Sequence, residues 1–272
     1  MMVGKNFFDD NLENLKECVK LASNEIMNIY NSDDFGQEKK LDGSPLTLAD
    51  KRANKVILNS LKEISSDISI ISEETFIESD IKTLNKTYWL VDPLDGTKEF
   101  INKTGEFTVN IALIDNMRPI FGIVAAPLTG KIWHGSIFDK KELSVPKSKK
   151  VLSIVMSKSH KSDNDLQFLE YLESKDVNYE ILEKGSSLKI CSLYDNKADI
   201  YPRFGPTSEW DIAAAHAVLS SAGGSIIGLP NMEELAYAKK SSILNPYFIA
   251  FRNEAIKGDF LPLLGDFIKK LV

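Results

Sequence analysis

Apolar residues repeat along this chain with two different periods, and that mixture constrains the fold more than any other feature. In residues 11–30 they recur at three- and four-residue steps, which predicts a helix with one apolar stripe. In residues 107–113 they alternate with polar or small residues, which predicts a half-buried strand. The helical set is Leu12, Leu15, Val19, Ala22, Ile26 and Ile29, and the strand set is Phe107, Val109, Ile111 and Leu113.

Both patterns continue toward the C-terminus and predict an α/β fold of layered sheets covered by helices. The strand that begins at Thr87 is expected to stop at Pro93, because proline has no N–H to donate to a ladder. Further strands are predicted at 68–71, 120–125, 132–138, 151–156, 179–182, 199–201 and 246–251. Further helices are predicted at 47–61, 165–174, 187–194, 209–222 and 260–271.

The bulk composition narrows the class of protein. With 272 residues, 43% of them hydrophobic, the chain can form one large domain or two modest ones sharing a core. The net charge of −6 gives no basic field for nucleic acid, so a phosphate site needs local cations. Neither a signal peptide nor an integral membrane segment is predicted, and a reducing cytoplasm follows by default. Cys18 and Cys191 are then expected to be buried free thiols.

Acidic residues stand at the ends of predicted elements in three places. The three groups are Glu73-Glu74, Asp92 with Asp95, and Asp211. Loops at element ends carry function on a rigid frame. Mg²⁺ prefers hard oxygen ligands, and several carboxylates gathered without a cation repel one another at a cost in free energy. The pattern indicates a divalent cation site.

The second group has the most informative surroundings. Asp92 and Asp95 are three residues apart around Pro93, which lets both carboxylates and the Leu94 carbonyl face one point. Gly96 then permits a backbone geometry that a side chain would forbid.

Each group taken alone also has an ordinary structural interpretation. Most D-x-x-D pairs are turn or capping aspartates, and Asp211 could simply favour the start of its helix through the macrodipole. Asp50 fits a capping box with Thr47. The metal interpretation is favoured by the apolar strands that lead into the first two groups.

Four sequence motifs occur together at plausible separations. They are S-P-L-T-L-A-D at 44–50, S-E-E-T at 72–75, W-L-V-D-P-L-D-G-T-K-E-F at 89–100 and E-W-D-I-A-A-A-H-A-V-L-S-S-A-G-G at 209–224. Over nearly the whole chain they resemble the inositol-monophosphatase-like superfamily. The resemblance implies an α-β-α-β-α sandwich with a metal-binding half, 1–145, and a nucleotide-recognition half, 146–272. The polar run 139–150 is the candidate link between the halves.

Further segments are similar to one subgroup, the bacterial CysQ type of 3′(2′),5′-bisphosphate nucleotidase. These are the D-G-T-K-E-F variant of the third motif, G-E-F-T-V-N-I-A-L-I at 105–114, G-S-S-L-K at 185–189, A-D-I-Y-P-R-F-G-P-T at 198–207 and L-N-P-Y-F at 244–248. The resemblance implies Mg²⁺-dependent removal of the 3′-phosphate of adenosine 3′,5′-bisphosphate. It implies a small nucleotide as partner and leaves open whether the protein is a monomer or a homodimer. Peripheral association with the inner membrane is also left open.

By the same resemblance, particular residues receive roles. The metal ligands would be Glu73, Asp92, the Leu94 carbonyl, Asp95 and Asp211, holding two or more Mg²⁺ ions. Asp50 and Thr97 would orient and deprotonate the attacking water. Gly96 and Thr97 would present N–H groups to the phosphate. The nucleotide would contact His160, Ser186, Lys189 and Arg203. His160 could equally be a surface loop histidine, and His134 and His216 are interpreted as structural.

Two rival functions stay open at this stage. An inositol or sugar monophosphatase would keep the same metal chemistry, and specificity in such sites depends on few contacts. A non-catalytic binding protein on the same fold would be expected to have lost acidic ligands, and here all the acidic positions are present.

Overall fold

A computed structural model describes residues 3–40, 43–83, 85–139, 151–158, 162–238 and 242–271. The α-helices are α1 Lys5–Tyr30, α2 Leu48–Ile64, α3 Glu78–Thr83, α4 Thr97–Ile101, α5 Asp163–Ser174, α6 Leu188–Tyr194, α7 Glu209–Ser221, α8 Glu254–Phe260 and α9 Gly265–Ile268. The strands are β1 Glu38–Lys39, β2 Pro45–Leu46, β3 Ser69–Ser72, β4 Thr87–Asp95, β5 Thr108–Asp115, β6 Arg118–Ala126, β7 Lys131–Ser136, β8 Leu152–Ser157, β9 Tyr179–Lys184, β10 Ile200–Arg203, β11 Ser225–Gly228, β12 Glu233–Glu234 and β13 Phe248–Phe251.

The strands form two large sheets and one small hairpin. The five-stranded sheet has the order β3-β4-β5-β6-β7 and is antiparallel except for the β3–β4 pair. The six-stranded sheet has the order β12-β11-β13-β10-β8-β9. Strands β1 and β2 pair with each other just before α2. The first sheet thus comes from residues before the polar run and the second from residues after it; of that run, only Asp139 is among the described residues.

Helices and sheets alternate in five layers. Helices α1 and α2 pack on one face of the five-stranded sheet through alternate residues of β4, β5 and β6. Helices α6 and α7 pack between the two sheets, with α7 against β5, β6 and β7. Helix α5 and the C-terminal helices cover the outer face of the six-stranded sheet. The predicted α-β-α-β-α sandwich is confirmed.

Two predictions about element boundaries were wrong. Strand β4 continues through Pro93 to Asp95, because a bulge in its pairing with β5 accommodates the missing N–H. The predicted final helix at 260–271 is interrupted by a 3₁₀ turn at Leu261–Leu264, which contains Pro262. Proline removes the i→i−4 hydrogen bond that a continuous helix would need there.

None of the helices in the described ranges is both long enough and apolar enough to cross a membrane. Cys18 and Cys191 are buried and free, as predicted.

Candidate metal and phosphate site

The bulge in β4 explains how two aspartates three residues apart come to share one side of the sheet. Asp92 pairs with Asn110 and Asp95 with Thr108, so three steps on β4 match two steps on β5. In a regular strand, residues separated by three point to opposite faces. The extra residue reverses that alternation, and Leu94 packs with the α1–α2 core beside Val91.

Three carboxylates meet at the carboxyl end of β4. Glu73, Asp92 and Asp211 each offer an oxygen atom within 4.8 Å of the others. Glu73 directly follows β3, and its N–H donates to the Val91 carbonyl at 3.1 Å. Asp211 lies in the first turn of α7, where one of its oxygens accepts the Ser208 N–H at 2.9 Å. The three acidic groups, separate in sequence, therefore converge on one point.

The electrostatics of this cluster call for a cation. Asp92 is 1% exposed. Burial, followed by the charges of Glu73, Asp95 and Asp211, raises the pKa of Asp92 well above its ordinary value. Burial, followed by Asp95 and Glu73, does the same to the pKa of Asp211. A divalent cation would stabilise all these carboxylates in their charged form, so the donor set fits a metal ion.

A lysine already supplies part of that positive charge. Lys40, next to the β1–β2 hairpin, donates to Glu73 Oε1 at 2.6 Å and to Glu74 Oε1 at 2.8 Å. Burial lowers the pKa of Lys40, but attraction and hydrogen bonds to the two glutamates outweigh it and raise that pKa overall. Burial is the main cause that raises the pKa of Glu74 to about 7. The ammonium group shows that Glu73 is accessible to a cation.

Asp95 adjoins the cluster and is tied to the C-terminal half. Its Oδ2 accepts the Ser187 N–H at 2.6 Å and lies 3.5 Å from Asn110 Nδ2. Burial raises the pKa of Asp95, whereas Lys189 and the Ser187 hydrogen bonds oppose that shift. The Leu94 carbonyl accepts the Thr97 hydroxyl at 3.3 Å.

Asp50 both caps helix α2 and contacts Thr97 at the candidate site. Its Oδ2 accepts the Thr47 N–H at 2.7 Å and the Thr47 hydroxyl at 2.6 Å, which completes the capping box of α2. Its Oδ1 accepts the Thr97 hydroxyl at 3.2 Å. Burial raises the pKa of this nearly inaccessible carboxyl group. The capping bonds therefore orient Asp50 while its other oxygen faces Thr97.

Gly96 makes the turn between β4 and α4 possible. Its φ of 92° lies in the left-handed region. A Cβ at this position would also lie only 3.0 Å from the Glu106 carbonyl oxygen. Thr97, the first residue of α4, is thereby placed beside Asp50.

Two cavities adjoin the acidic cluster, and their shared walls include Asp95, Arg203 and Asp211. The smaller, of about 150 Å³, is also lined by Ser186 and Lys189. The larger, of about 740 Å³, extends past Glu73, Gly96 and Thr97. The structure thus places Glu73, Asp95 and Asp211, together with two of the predicted substrate-binding cations, around two adjoining cavities.

Two cations, Lys189 and Arg203, line the smaller cavity. Burial lowers the pKa of Lys189, with Asp95 acting in the opposite sense, and its ammonium lies 5.6 Å from the Tyr201 ring centroid. Arg203 donates from Nη2 to the Pro206 carbonyl at 3.0 Å. Its buried Nε has no hydrogen-bond partner in the described part of the chain.

Two of the three histidines lie on described helices or strands. His216 is fully buried on α7, where Nδ1 lies 2.9 Å from the Tyr237 hydroxyl, and His134 lies on β7. His160 lies outside the described residues.

Sequence reasoning missed Lys40, Ser187 and Glu106. Lys40 reaches Glu73 across 33 residues, and no local period or spacing marks that contact. Ser187 acts through its backbone N–H, which any residue but proline could supply. Glu106 lies in the G-E-F-T segment noted for its subgroup, and that segment was the available signal.

Comparison with known proteins decides the family. A profile of the Inositol monophosphatase family matches residues 10–259. The chain belongs to the inositol monophosphatase family. Within this family, it is 39% identical over 246 residues to the 3′(2′),5′-bisphosphate nucleotidase CysQ of Salmonella typhimurium, a match that covers 87% of this chain and 98% of that protein. The same values hold for the protein of that name from Escherichia coli.

Solved structures of the family agree with the fold described above. CysQ from Bacteroides thetaiotaomicron, a bacterial member of the inositol monophosphatase family, superposes with a TM-score of 0.78 at 33% identity, covering 91% of this chain and 99% of that one. An inositol monophosphatase from Thermotoga maritima has a TM-score of 0.74 at 19% identity, covering 97% and 100% of the two chains. The second likeness concerns the fold alone.

Proposed function

We propose that this chain is a Mg²⁺-dependent phosphomonoesterase that hydrolyses the 3′-phosphate of adenosine 3′,5′-bisphosphate to give AMP and phosphate. The observation that carries the proposal is that Asp95, Arg203 and Asp211 line both cavities. Lys189 also lines the smaller cavity, and Glu73 lines the larger one. A substrate with one phosphate at the cluster and another at these cations fits that arrangement. The relatives named 3′(2′),5′-bisphosphate nucleotidase confirm the predicted enzyme class, a phosphoric monoester hydrolase.

Five groups would hold the metal. Glu73, Asp92 and Asp211 already converge, and the charge of Asp95 acts on Asp92. The Leu94 carbonyl accepts the Thr97 hydroxyl. Mg²⁺ bound there would lower the pKa of a water molecule and neutralise phosphate charge. The number of carboxylates supports two or more ions, each keeping some water or phosphate ligands.

Asp50 and Thr97 would act on the attacking water. Asp50 is positioned to accept a proton from the attacking water, because its Oδ2 is engaged by Thr47 and its Oδ1 faces the site. Thr97 would align the same water through its hydroxyl group. The turn at Gly96 and the start of α4 would hold the scissile phosphate near both side chains.

Recognition of the second phosphate falls to the smaller cavity. Lys189 and Arg203 would supply charge, and Arg203 Nε, which has no hydrogen-bond partner among the described residues, would donate to a phosphate oxygen. Ser186 lines the same cavity. Because the chain carries a net charge of −6, these local cations are needed to offset repulsion of a dianionic group.

The test compares two substrates on wild type and Arg203→Met. We expect wild type to release phosphate from adenosine 3′,5′-bisphosphate in preference to inositol 1-phosphate. The substitution should raise KM for the nucleotide by about tenfold or more and leave that for the inositol ester nearly unchanged, since charged hydrogen bonds contribute about 1.5–3 kcal/mol. A preference for inositol 1-phosphate would overturn the nucleotide assignment and keep the metal site. The cytoplasmic location stays a prediction, and the choice between monomer and homodimer stays open.

A further inference from the structure

The turn at residues 185–187 joins the two ends of the proposed site. The Ser187 N–H donates to Asp95 Oδ2 at 2.6 Å, and the Ser187 hydroxyl donates to the Asp211 carbonyl at 2.7 Å. Gly185, Ser186 and Ser187 also line the smaller cavity. A displacement of this turn would therefore change both the orientation of a proposed metal ligand and the shape of the substrate cavity.

Glu106 holds this turn from the opposite half of the molecule. Its Oε2 accepts the Gly185 N–H at 2.9 Å, and its Oε1 accepts the Lys184 ammonium at 2.9 Å. Glu106 precedes β5 of the five-stranded sheet, whereas Lys184 ends β9 of the six-stranded sheet. The carboxylate thus connects the two halves next to the site.

The contact is too close to tolerate a larger residue in the turn. A Cβ on Gly185 would lie 2.9 Å from the Glu106 carbonyl oxygen and 3.0 Å from the Glu106 Cβ. Ser186 adopts a φ of 43°, and its hydroxyl lies 3.4 Å from the Thr108 hydroxyl. The turn is packed directly against the segment that carries Glu106.

We propose that Glu106 is a positioning residue for the reaction, which fixes the 185–187 turn so that Ser187 orients Asp95 toward the metal. Glu106 lines neither of the two cavities and acts through Gly185 and Ser187. Groups that hydrogen-bond directly to a metal ligand, as Ser187 does to Asp95, change metal affinity by about 10–100-fold when removed. The inference rests on the proposed function for its substrate, while its effect on metal binding can be measured without any substrate.

The test uses three full-length variants and Mg²⁺ titration of metal-stripped protein by calorimetry. Glu106→Asp keeps the charge but is one methylene shorter and cannot reach Gly185. Glu106→Gln loses the charge but keeps an oxygen that can accept the Gly185 N–H. Glu106→Ala removes both. We expect the Mg²⁺ dissociation constant to rise about tenfold or more in Glu106→Asp and Glu106→Ala. In Glu106→Gln it should rise less than about threefold. Lys184→Met, which removes only the part-exposed ion pair, should change it less than about fivefold.

The Asp and Gln variants are both conservative, so the comparison survives if the alanine variant does not fold. KM for adenosine 3′,5′-bisphosphate should rise in the same order, because the turn also lines the cavity. Mg²⁺ affinity equal in wild type and Glu106→Asp, or a loss confined to thermal stability, would overturn the inference, as would wild type that binds no Mg²⁺. Normal Mg²⁺ binding with no hydrolysis of the nucleotide would instead overturn the proposed function and leave the comparison of variants intact.

Discussion

At the scale of single residues, Asp92 shows most directly how burial and charge conflict in this site. The residue is 1% exposed, and the neighbouring carboxylates add to the effect of burial in raising its pKa. Its Oδ1 accepts the Leu94 N–H at 3.0 Å, and one of its oxygens lies within 4.8 Å of an oxygen of Glu73 and of Asp211. Such a residue stabilises the folded protein only when a cation is present.

Asp92→Asn is therefore expected to have opposite effects with and without metal. The amide has nearly the same shape, keeps an oxygen for the Leu94 N–H and removes a buried charge. Metal-stripped protein should become more stable by about 1 kcal/mol, a common gain at strained functional positions. Urea unfolding should show that stabilisation by Mg²⁺ is largely lost. A variant that is less stable without metal, yet equally stabilised by Mg²⁺, would contradict this account.

Substitutions at Asp50 and Thr97 test whether these residues deprotonate and align the attacking water. Asp50→Asn keeps an oxygen that can accept the Thr47 N–H, so the helix should remain capped. We expect kcat to fall about 10²–10⁴-fold, the usual range for a lost general base, with Mg²⁺ affinity nearly unchanged.

Thr97→Ser should keep most activity, whereas Thr97→Val should lose it. Equal activity in the two Thr97 variants would show that the hydroxyl has no part in the reaction.

The residues of the candidate site could be predicted from sequence to different degrees. Glu73, Asp92 and Asp211 were found because each lies at the end of a predicted element within a recognisable motif, and the structure does bring them together. Lys40 and Ser187 were missed because their contacts cross 33 and 92 residues of chain. Contacts of that kind depend on tertiary packing, which no local pattern encodes.

At the scale of secondary structure, the start of α2 couples stability to the site. Thr47 caps the helix, since its hydroxyl accepts the Ala49 N–H at 3.1 Å and donates to Asp50 at 2.6 Å. The same residues therefore define where the helix begins and how Asp50 is oriented.

Thr47→Ala and Thr47→Ser form a matched pair for this coupling. Loss of the hydroxyl should destabilise the protein by about 1 kcal/mol, as for other N-cap substitutions. It should also lower kcat, because Asp50 loses an orienting donor. The serine variant should resemble wild type in urea unfolding and in turnover. If the alanine variant lost stability but kept full kcat, the cap would have no role in orienting Asp50.

The elements themselves follow the sequence pattern closely except where proline and backbone geometry intervene. The helix predicted to begin at Thr47 and the strands around Phe107 and Ile120 were found within a few residues. Strand β4 was predicted too short because the rule for proline describes regular strands, whereas this strand contains a bulge. The short α4 was missed, since five residues carry no helical period.

At the scale of the whole molecule, the acidic cluster makes stability depend on pH. In the folded state the pKa of Glu74 is raised to about 7 from about 4.5, so between these values the folded protein binds more protons than the unfolded chain. The raised pKa values of Asp50, Asp92, Asp95 and Asp211 act in the same direction. By linkage, the free energy of unfolding falls as pH rises through this window.

We therefore expect the melting temperature of metal-stripped protein to fall between about pH 4.5 and 7. Saturating Mg²⁺ should reduce this dependence, because the metal stabilises the charged carboxylates. Glu13 and Glu234 have lowered pKa values and act at lower pH, in the opposite direction. Thermal unfolding at several pH values, with and without Mg²⁺, measures both effects. A melting temperature that rises across this window without metal would contradict the assignment of a buried charged cluster.

The two sheets, one from each half of the chain, are coupled through this cluster. Asp211 on α7 faces Asp92 on β4, and α7 packs against the strands of the five-stranded sheet. The sandwich and the position of the site could be predicted because the motifs resemble a known family. The hydrogen bond between the Gly185 N–H and Glu106 could not be predicted, because it depends on how closely two loops approach each other.

The most direct test of the central claim is phosphate release from adenosine 3′,5′-bisphosphate by metal-stripped wild type and Asp92→Asn as Mg²⁺ is added. We expect no release by either protein without metal, saturable release by wild type as Mg²⁺ rises, and loss of that release in the variant. Release by wild type that does not depend on Mg²⁺, or that is equal in Asp92→Asn, would contradict the claim that the acidic cluster is the metal site of a phosphomonoesterase.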